Sequence, residues 1–103
     1  MKLHFKGTYQ MIPRQLMRRA GYHEFIDPRT RKTSYVRTLQ GGTFYPRFHA
    51  YLDMEDDGFQ VNLHLDQKQA SYKGAHAHNA EYDGEVVERE GMRVQQVIDV
   101  LKI

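Results

Sequence analysis

Four histidines between positions 49 and 78 stand close to acidic side chains, in or near two short polar stretches. The stretch "NLHLDQ" covers residues 62–67, and the stretch "GAHAHNAEYDGE" covers residues 74–85. Imidazole nitrogens and carboxylate oxygens are ligands that zinc and manganese take in proteins. The sequence therefore predicts a divalent metal site, with zinc or manganese as the cofactor, formed by His49, His64, Asp66, His76, His78 and Glu81. The alternative is that residues 74–85 form a solvated loop held by side-chain hydrogen bonds.

The same side chains also offer a chemistry that needs no metal. His49 and His64 can act as general acid and base while Arg47 or Tyr51 steadies a phosphate group, as in a small ribonuclease. This interpretation uses the same patch as the metal site, so only the geometry can separate the two.

A third chemistry is suggested by the H-x-H pair at His76 and His78, which is followed by Tyr82. These three residues resemble the metal-binding dyad and nucleophile of the HUH endonucleases, which cleave single-stranded DNA through a phosphotyrosine. In that family the dyad lies on a central strand and the tyrosine on a helix well downstream, whereas Tyr82 follows His78 by four residues. The resemblance implies that a metal polarises the phosphate and that Tyr82 attacks it. Across these hypotheses the candidate catalytic residues are His49, His64 and Tyr82.

The charges of the chain are divided unevenly between its two halves. Residues 1–50 carry ten cations and two acids, a net charge of +8, whereas residues 51–103 carry five cations and eleven acids, a net charge of −6. A basic surface favours a phosphate-bearing partner such as single-stranded nucleic acid. The residues predicted to bind such a ligand are Arg29, Arg31, Lys32, Arg47, Tyr51 and Asn62. The alternative is that the two charged poles attract each other in a homo-oligomer.

The first half of the chain predicts a short helix followed by a hairpin. "IPRQLMRRAG" (12–21) is typical of a helix, because Pro13 suits the first turn and Gly21 can cap the end. The apolar residues Ile12, Leu16, Met17 and Ala20 would share one face of it. Residues 22–39 predict a hairpin with "DPRT" (27–30) at the bend, because Asp and Pro favour the first two turn positions.

Two half-buried strands follow a glycine-containing loop at residues 40–46. In "FHAYLDM" (48–54) and "FQVNLHLD" (59–66) apolar and polar residues alternate, and "EDDG" between them favours a tight turn. A two-residue turn would place His49 opposite Asp66, whereas a four-residue turn would place it opposite His64. Either register brings His49, His64 and Asp66 to one patch, because opposed residues lie about 5 Å apart and diagonal ones about 7–8 Å.

The last part of the chain, residues 85–103, predicts a helix with Asp83 near its N-cap and Gly91 as a weak point in the middle. Its apolar stripe consists of Val87, Val94, Val97, Ile98 and Leu101. The predicted fold is α+β: one antiparallel sheet of four to five strands, with a short N-terminal helix and a longer C-terminal helix packed on one face. The polar patch would lie on the opposite face.

Length and composition limit the possible functions. A chain of 103 residues forms a single domain, residues 1–103, and without cysteine it has no disulfides and no thiolate metal ligands. No Walker loop, G-x-G-x-x-G or G-x-S-x-G motif occurs, and no window is apolar enough for a signal peptide or a membrane span, so we expect a cytoplasmic protein. The sequence favours a binding protein for nucleic acid or another phosphate-bearing ligand. The alternatives are a small histidine-dependent phosphodiesterase or nuclease and a structural homo-oligomer without activity.

Overall fold

A computed structural model describes residues 1–67, the backbone of residues 80 and 81, and residues 84–103. Its elements are, in chain order, β1 (Lys2–Lys6), α1 (Pro13–Arg19), β2 (His23–Ile26), β3 (Thr33–Thr38), β4 (Arg47–Glu55), β5 (Gly58–Asp66), β6 (Ala80–Glu81) and α2 (Glu85–Asp99). The strands form one antiparallel sheet in the order β1-β5-β4-β3-β2, and the two-residue strand β6 pairs with the end of β5. The predicted α+β class, with a short first helix and a longer second one, is confirmed.

The β4–β5 hairpin sets the positions of the polar patch. Its strands pair from Arg47 opposite Asp66 to Glu55 opposite Gly58, so the turn itself is only two residues long. His49 therefore lies opposite His64, which is the register that the four-residue turn predicted. The pairing extends one residue further along each strand toward the turn than that prediction assumed.

Both helices pack on one face of the sheet. The core between the helices and the sheet contains the inward-facing apolar residues of four strands, together with the buried side chains of α1 and α2. All four apolar residues predicted to alternate along β5 are buried, namely Phe59, Val61, Leu63 and Leu65. On β4, Phe48 and Ala50 are buried, whereas Met54 is exposed next to the turn. The β4–β5 alternation thus fixes which face of the sheet is apolar.

Strands β2 and β3 form the hairpin predicted for residues 22–39. Asp27 starts the bend, where its carboxylate accepts hydrogen bonds from the backbone N–H groups of Arg29 (2.8 Å) and Thr30 (3.4 Å). Arg29, Arg31 and Lys32 are exposed at this tip, as predicted. The backbone N–H bonds also hold the pKa of the Asp27 carboxyl below its ordinary value.

Helix α1 buries Leu16, Met17 and Ala20, which share one face as predicted. Ile12 does not join them: it precedes the helix in an extended conformation and is exposed, because the helix begins at Pro13. Gly21 follows the helix with a positive φ of 94°, a conformation that favours glycine, and its N–H binds the carbonyl of Arg18.

Strand β1 was not predicted, although it contributes Leu3 and Phe5 to the core. It pairs along β5, and the backbone of Met1 extends this pairing through hydrogen bonds with Leu63. The Met1 side chain lies against Gly91 of α2, where a Cβ atom would overlap its sulfur. Gly91 is therefore a point of close approach between α2 and the start of the chain, and not only a weak point of the helix.

Helix α2 ends at Asp99, four residues before the predicted end of the helix at residue 103. The last residues instead bind the segment after β1: Gln10 N–H donates to the carbonyl of Leu101, and Ile103 N–H donates to that of Thr8. The N-cap position is Gly84, and Asp83 lies outside the described residues. No helix in the described part of the chain is long and apolar enough to cross a membrane.

Candidate functional site

Two neighbouring rows of side chains cross the sheet on the face opposite the helices. In the first row Arg47 lies opposite Asp66, and in the second row His49 lies between Val36 and His64. Because side chains two residues apart on a strand share a face, both rows point to the same side of the sheet. The rows bring Arg47, His49, His64 and Asp66 together, and all but Asp66 are at least 90% buried.

Asp66 contacts the other three side chains of this group. We call His49, His64 and Asp66 the His–Asp centre. Its Oδ2 atom lies 3.0 Å from His49 Nδ1, and its Oδ1 atom lies 3.1 Å from His64 Nε2. Arg47 Nε also donates to Oδ2, at 3.0 Å. One carboxylate therefore bonds to three buried side chains, each of which is or can become a cation.

These contacts control the charge of Asp66. Burial by itself would raise the pKa of this carboxyl, but the hydrogen bonds from His49, His64 and Arg47 outweigh it and hold the pKa far below its ordinary value. Asp66 is thus a carboxylate throughout the physiological pH range. An ionised carboxylate accepts hydrogen bonds and does not donate them.

A further hydrogen bond continues from His49 to the neighbouring strand. His49 Nε2 lies 2.7 Å from Ser34 Oγ, and Ser34 Oγ lies 3.4 Å from the backbone carbonyl of Phe25. Both ring nitrogens of His49 therefore have a polar partner, the carboxylate on one side and the hydroxyl on the other. The ring orientation of His49 is fixed by these two contacts.

Aromatic rings surround the guanidinium of Arg47. Its Cζ atom lies 4.2 Å from the ring centroid of Phe44, 4.6 Å from that of Tyr45 and 5.3 Å from that of Phe25. Such contacts attract a cation to the ring faces and restrict its rotation. Arg47 Nη1 is buried and has no hydrogen-bond partner among the described residues. The aromatic rings hold Arg47 in place beside Asp66.

A cavity of about 320 Å³ lies beside the centre, on the side of His49 that faces Ser34. Its lining is mostly polar or aromatic and consists of Phe25, Asp27, Thr30, Lys32, Ser34, His49 and Tyr51. The ring of Tyr51 contacts both histidines, with centroids 4.8 Å from His49 and 5.8 Å from His64. The bend of the β2–β3 hairpin thus forms one wall of a cavity whose other wall is β4.

His49, His64 and Asp66 can together hold a metal ion. Each offers one ligand atom, and these three atoms all lie within 4.8 Å of one another. Two imidazoles and one carboxylate are a ligand set found in metal centres that keep open coordination positions. The predicted convergence of these three residues is therefore present in the structure.

The other predicted ligands have different outcomes. Glu81 pairs through its backbone with Leu65, one residue from Asp66, but its side chain is outside the described residues. His76, His78 and Tyr82 also lie outside the described residues, so the resemblance to HUH endonucleases stays untested. His4 and His23 are exposed. His4 faces Glu55, and His23 lies opposite Val36, in the row of His49 and two strands away from it.

The predicted ligand-binding residues divide into two groups. Lys32 and Tyr51 line the cavity together with His49, and Arg47 is buried next to Asp66. Asn62 lies opposite Tyr51 and is partly exposed. Arg29 and Arg31 are exposed at the hairpin tip and do not line this cavity.

Sequence reasoning missed Ser34 and the aromatic surroundings of Arg47. Ser34 precedes Tyr35 and Val36 in β3. The one signal that could have identified it is that it is a polar residue within a predicted strand. Phe25 lies opposite Ser34, whereas Phe44 and Tyr45 belong to the loop before β4. Their contacts depend on how β3 pairs with β4, which the intervening loop does not fix.

No protein-family model, curated protein or solved structure matches this chain.

Proposed function

We propose that this protein binds a divalent transition metal ion, zinc or manganese, through His49, His64 and Asp66, and that the ion assists binding of a phosphate-bearing ligand. The observation that carries this proposal is the convergence of the three ligand atoms within 4.8 Å. The residues come from two directly paired strands, so the backbone positions them before any ion arrives. Preorganisation of this kind lowers the cost of assembling the site.

The contact between His49 and Ser34 supports the proposal. Histidines that bind metals through one ring nitrogen usually donate a hydrogen bond from the other, which fixes the ring orientation. His49 faces Asp66 through Nδ1 and Ser34 through Nε2, at 2.7 Å. Ser34 can in turn donate to the carbonyl of Phe25. The centre thus has the supporting contact that a metal-binding imidazole requires.

The charge of the centre supports an anionic ligand. With neutral imidazoles, the positive charge of Arg47 balances the negative charge of Asp66, so a divalent ion adds two positive charges to a buried site. Uncompensated charge in such surroundings is costly. A phosphate group would offset it, and the cation Lys32 lines the neighbouring cavity together with Thr30, Tyr51 and the acidic residue Asp27. Single-stranded nucleic acid is one phosphate-bearing ligand of this class.

A metal-free phosphodiesterase is the second candidate. It is favoured by one observation, namely that the rings of His49 and His64 lie side by side with centroids 4.9 Å apart. Two imidazoles this close can serve as acid and base in one reaction. Metal-independent cleavage of a ribonucleotide substrate, lost in His64→Gln, would support it.

The homo-oligomer stays a prediction of the charge pattern.

Thermal denaturation with added zinc or manganese tests the proposal. A metal concentration about 100 times the dissociation constant stabilises the folded state by about 2.7 kcal/mol, which raises the melting midpoint of a domain this size by about 10 °C or more. His64→Gln should abolish the rise, whereas His4→Ala should keep it, because His4 is exposed and bound to Glu55. If neither ion moves the midpoint of the parent protein, the proposal is wrong.

A further inference from the structure

Ser34, His49 and Asp66 form a continuous hydrogen-bonded chain. Ser34 Oγ lies 2.7 Å from His49 Nε2, and His49 Nδ1 lies 3.0 Å from Asp66 Oδ2. Serine nucleophiles are activated by this sequence of contacts, in which the histidine takes the hydroxyl proton and the carboxylate orients the ring. The sequence does not predict this chain of contacts, because the three residues lie on three different strands.

The contacts of His49 indicate its tautomer. The Asp66 carboxylate can only accept, so in the protein without metal His49 Nδ1 must carry a proton to make this contact. In a neutral imidazole the other nitrogen, Nε2, then carries none and accepts a hydrogen bond. In that tautomer the Ser34 hydroxyl donates to Nε2 at 2.7 Å and not to the Phe25 carbonyl at 3.4 Å, so its proton points at the base that would remove it.

Ser34 is only 3% exposed, and the space beside it is a cavity. It lines the cavity of about 320 Å³ together with His49, so the reacting groups meet at its wall. Lys32, Thr30 and Tyr51, whose side chains carry hydrogen-bond donors, line the same cavity beside the acidic residue Asp27. Such donors stabilise the negative charge that develops on a carbonyl oxygen under attack. The volume suits the acyl part of a small ester.

We propose that, in the metal-free protein, Ser34 is a nucleophile that accepts the acyl group of small esters, with His49 as its base and Asp66 as the residue that positions His49. The Ser34 Oγ–carbon bond forms while the ester carbon–oxygen bond breaks, and the hydroxyl proton passes through His49 Nε2 to the departing alcohol. Water then hydrolyses the acyl-serine by the same proton path. This activity goes beyond the proposed metal binding.

The two proposals make opposite demands on His49. A metal on Nδ1 displaces the proton of that nitrogen, and the hydrogen bond to Ser34 then requires a proton on Nε2. In that state His49 donates to Ser34 and cannot accept its proton. Metal binding should therefore suppress the reactivity of Ser34.

Acetylation by 4-nitrophenyl acetate, followed by peptide mass mapping, tests the inference. In metal-free protein with chelator present, we expect an acetyl group on Ser34 and release of 4-nitrophenolate. The rate should fall about 100-fold or more in Ser34→Ala and in His49→Gln, because general-base assistance typically contributes at least that factor. Thr33→Ala is the matched control, since Thr33 is exposed on the same strand and should react like the parent.

Two results would overturn the inference. The first is that Ser34 carries no acetyl group after the parent protein has been treated without metal. The second is that zinc raises the melting midpoint, which shows that it binds, yet leaves the acetylation rate of Ser34 unchanged. If zinc leaves the midpoint unchanged while Ser34 is acetylated, the metal proposal fails and the nucleophile stands.

Discussion

Replacing Asp66 with asparagine should destabilise the protein, although the two side chains are nearly equal in size. The substitution keeps the shape of the side chain but removes the charge that Arg47, His49 and His64 share. Arg47 would remain buried, with a side chain only 7% exposed, and would have lost its counter-ion. Removing one partner of a buried ion pair typically costs about 3–5 kcal/mol, so we expect Asp66→Asn to fall in that range.

Urea denaturation followed by circular dichroism measures this cost, and the chain contains a matched control. Arg89 and Glu85 form an ion pair of the same 3.0 Å length, but their side chains are 77% and 85% exposed. Glu85→Gln should therefore change the free energy of unfolding by no more than about 0.5 kcal/mol. If Asp66→Asn changes the free energy of unfolding as little as this control, the contacts of Asp66 with Arg47, His49 and His64 do not stabilise the fold as we expect.

The difference in stability between the parent protein and Asp66→Asn should depend on pH. The pKa of Asp66 is lower in the folded than in the unfolded protein, so its stabilisation is fully present above the unfolded value of about 3.9. As the pH falls below about 4, the unfolded chain takes up the proton first and the stabilisation declines. The difference in stability between the parent protein and Asp66→Asn should therefore narrow from pH 5 downward. A difference that widens over this interval would contradict the assigned direction of the shift.

Three further predictions concern other parts of the chain. Tyr22→Phe should cost about 1–3 kcal/mol in urea denaturation, because the buried hydroxyl of Tyr22 donates to Glu90 at 2.6 Å. Gly58→Ala should destabilise the folded protein by about 1–3 kcal/mol and so lower its melting midpoint, because the added Cβ would overlap a backbone carbonyl of β1. Replacing Arg29 and Arg31 with glutamine should weaken binding of single-stranded DNA and lower the salt dependence by about 0.7 per lost phosphate contact, as measured by fluorescence anisotropy.

Each of these three predictions has its own contradicting outcome. Gly41→Ala is the control for Gly58→Ala, since nothing lies near the position of its Cβ, and equal midpoints for both variants would refute the packing argument. An unchanged stability of Tyr22→Phe would show that Glu90 is satisfied by Arg93, which bonds to it at 2.7 Å, without the tyrosine. DNA binding that is unaffected by the two arginine substitutions would exclude the hairpin tip as the binding surface.

The His–Asp centre was predictable from the sequence because strand geometry alone brings it together. Alternation along β4 and β5 places His49, His64 and Asp66 on one face, and the short turn between these strands limits their register. Both registers considered would have gathered the same three residues. Local pattern and turn length were thus sufficient at this hairpin.

Contacts between distant segments were not predictable. Ser34 reaches His49 because β3 pairs with β4 in one register, and the connection at residues 39–46 contains two glycines and sets no register of its own. Strand β1 has only two apolar residues, Leu3 and Phe5, and pairs with a strand more than fifty residues later in the chain. The contact of Gly91 with Met1 depends on the whole fold, so the sequence alone marks Gly91 only as a weak point of the helix. Tertiary packing decided each of these features.

Equilibrium dialysis against zinc, with the metal content of the protein measured by elemental analysis, tests the central claim most directly. We expect the parent protein to retain zinc through His49, His64 and Asp66, the three residues whose ligand atoms converge. His64→Gln and Asp66→Asn should lose the bound metal, and His4→Ala should keep it, because His4 pairs with Glu55 away from the centre. A parent protein that retains no zinc, or a His64→Gln variant that retains as much as the parent, would contradict the assignment of this centre as a metal site.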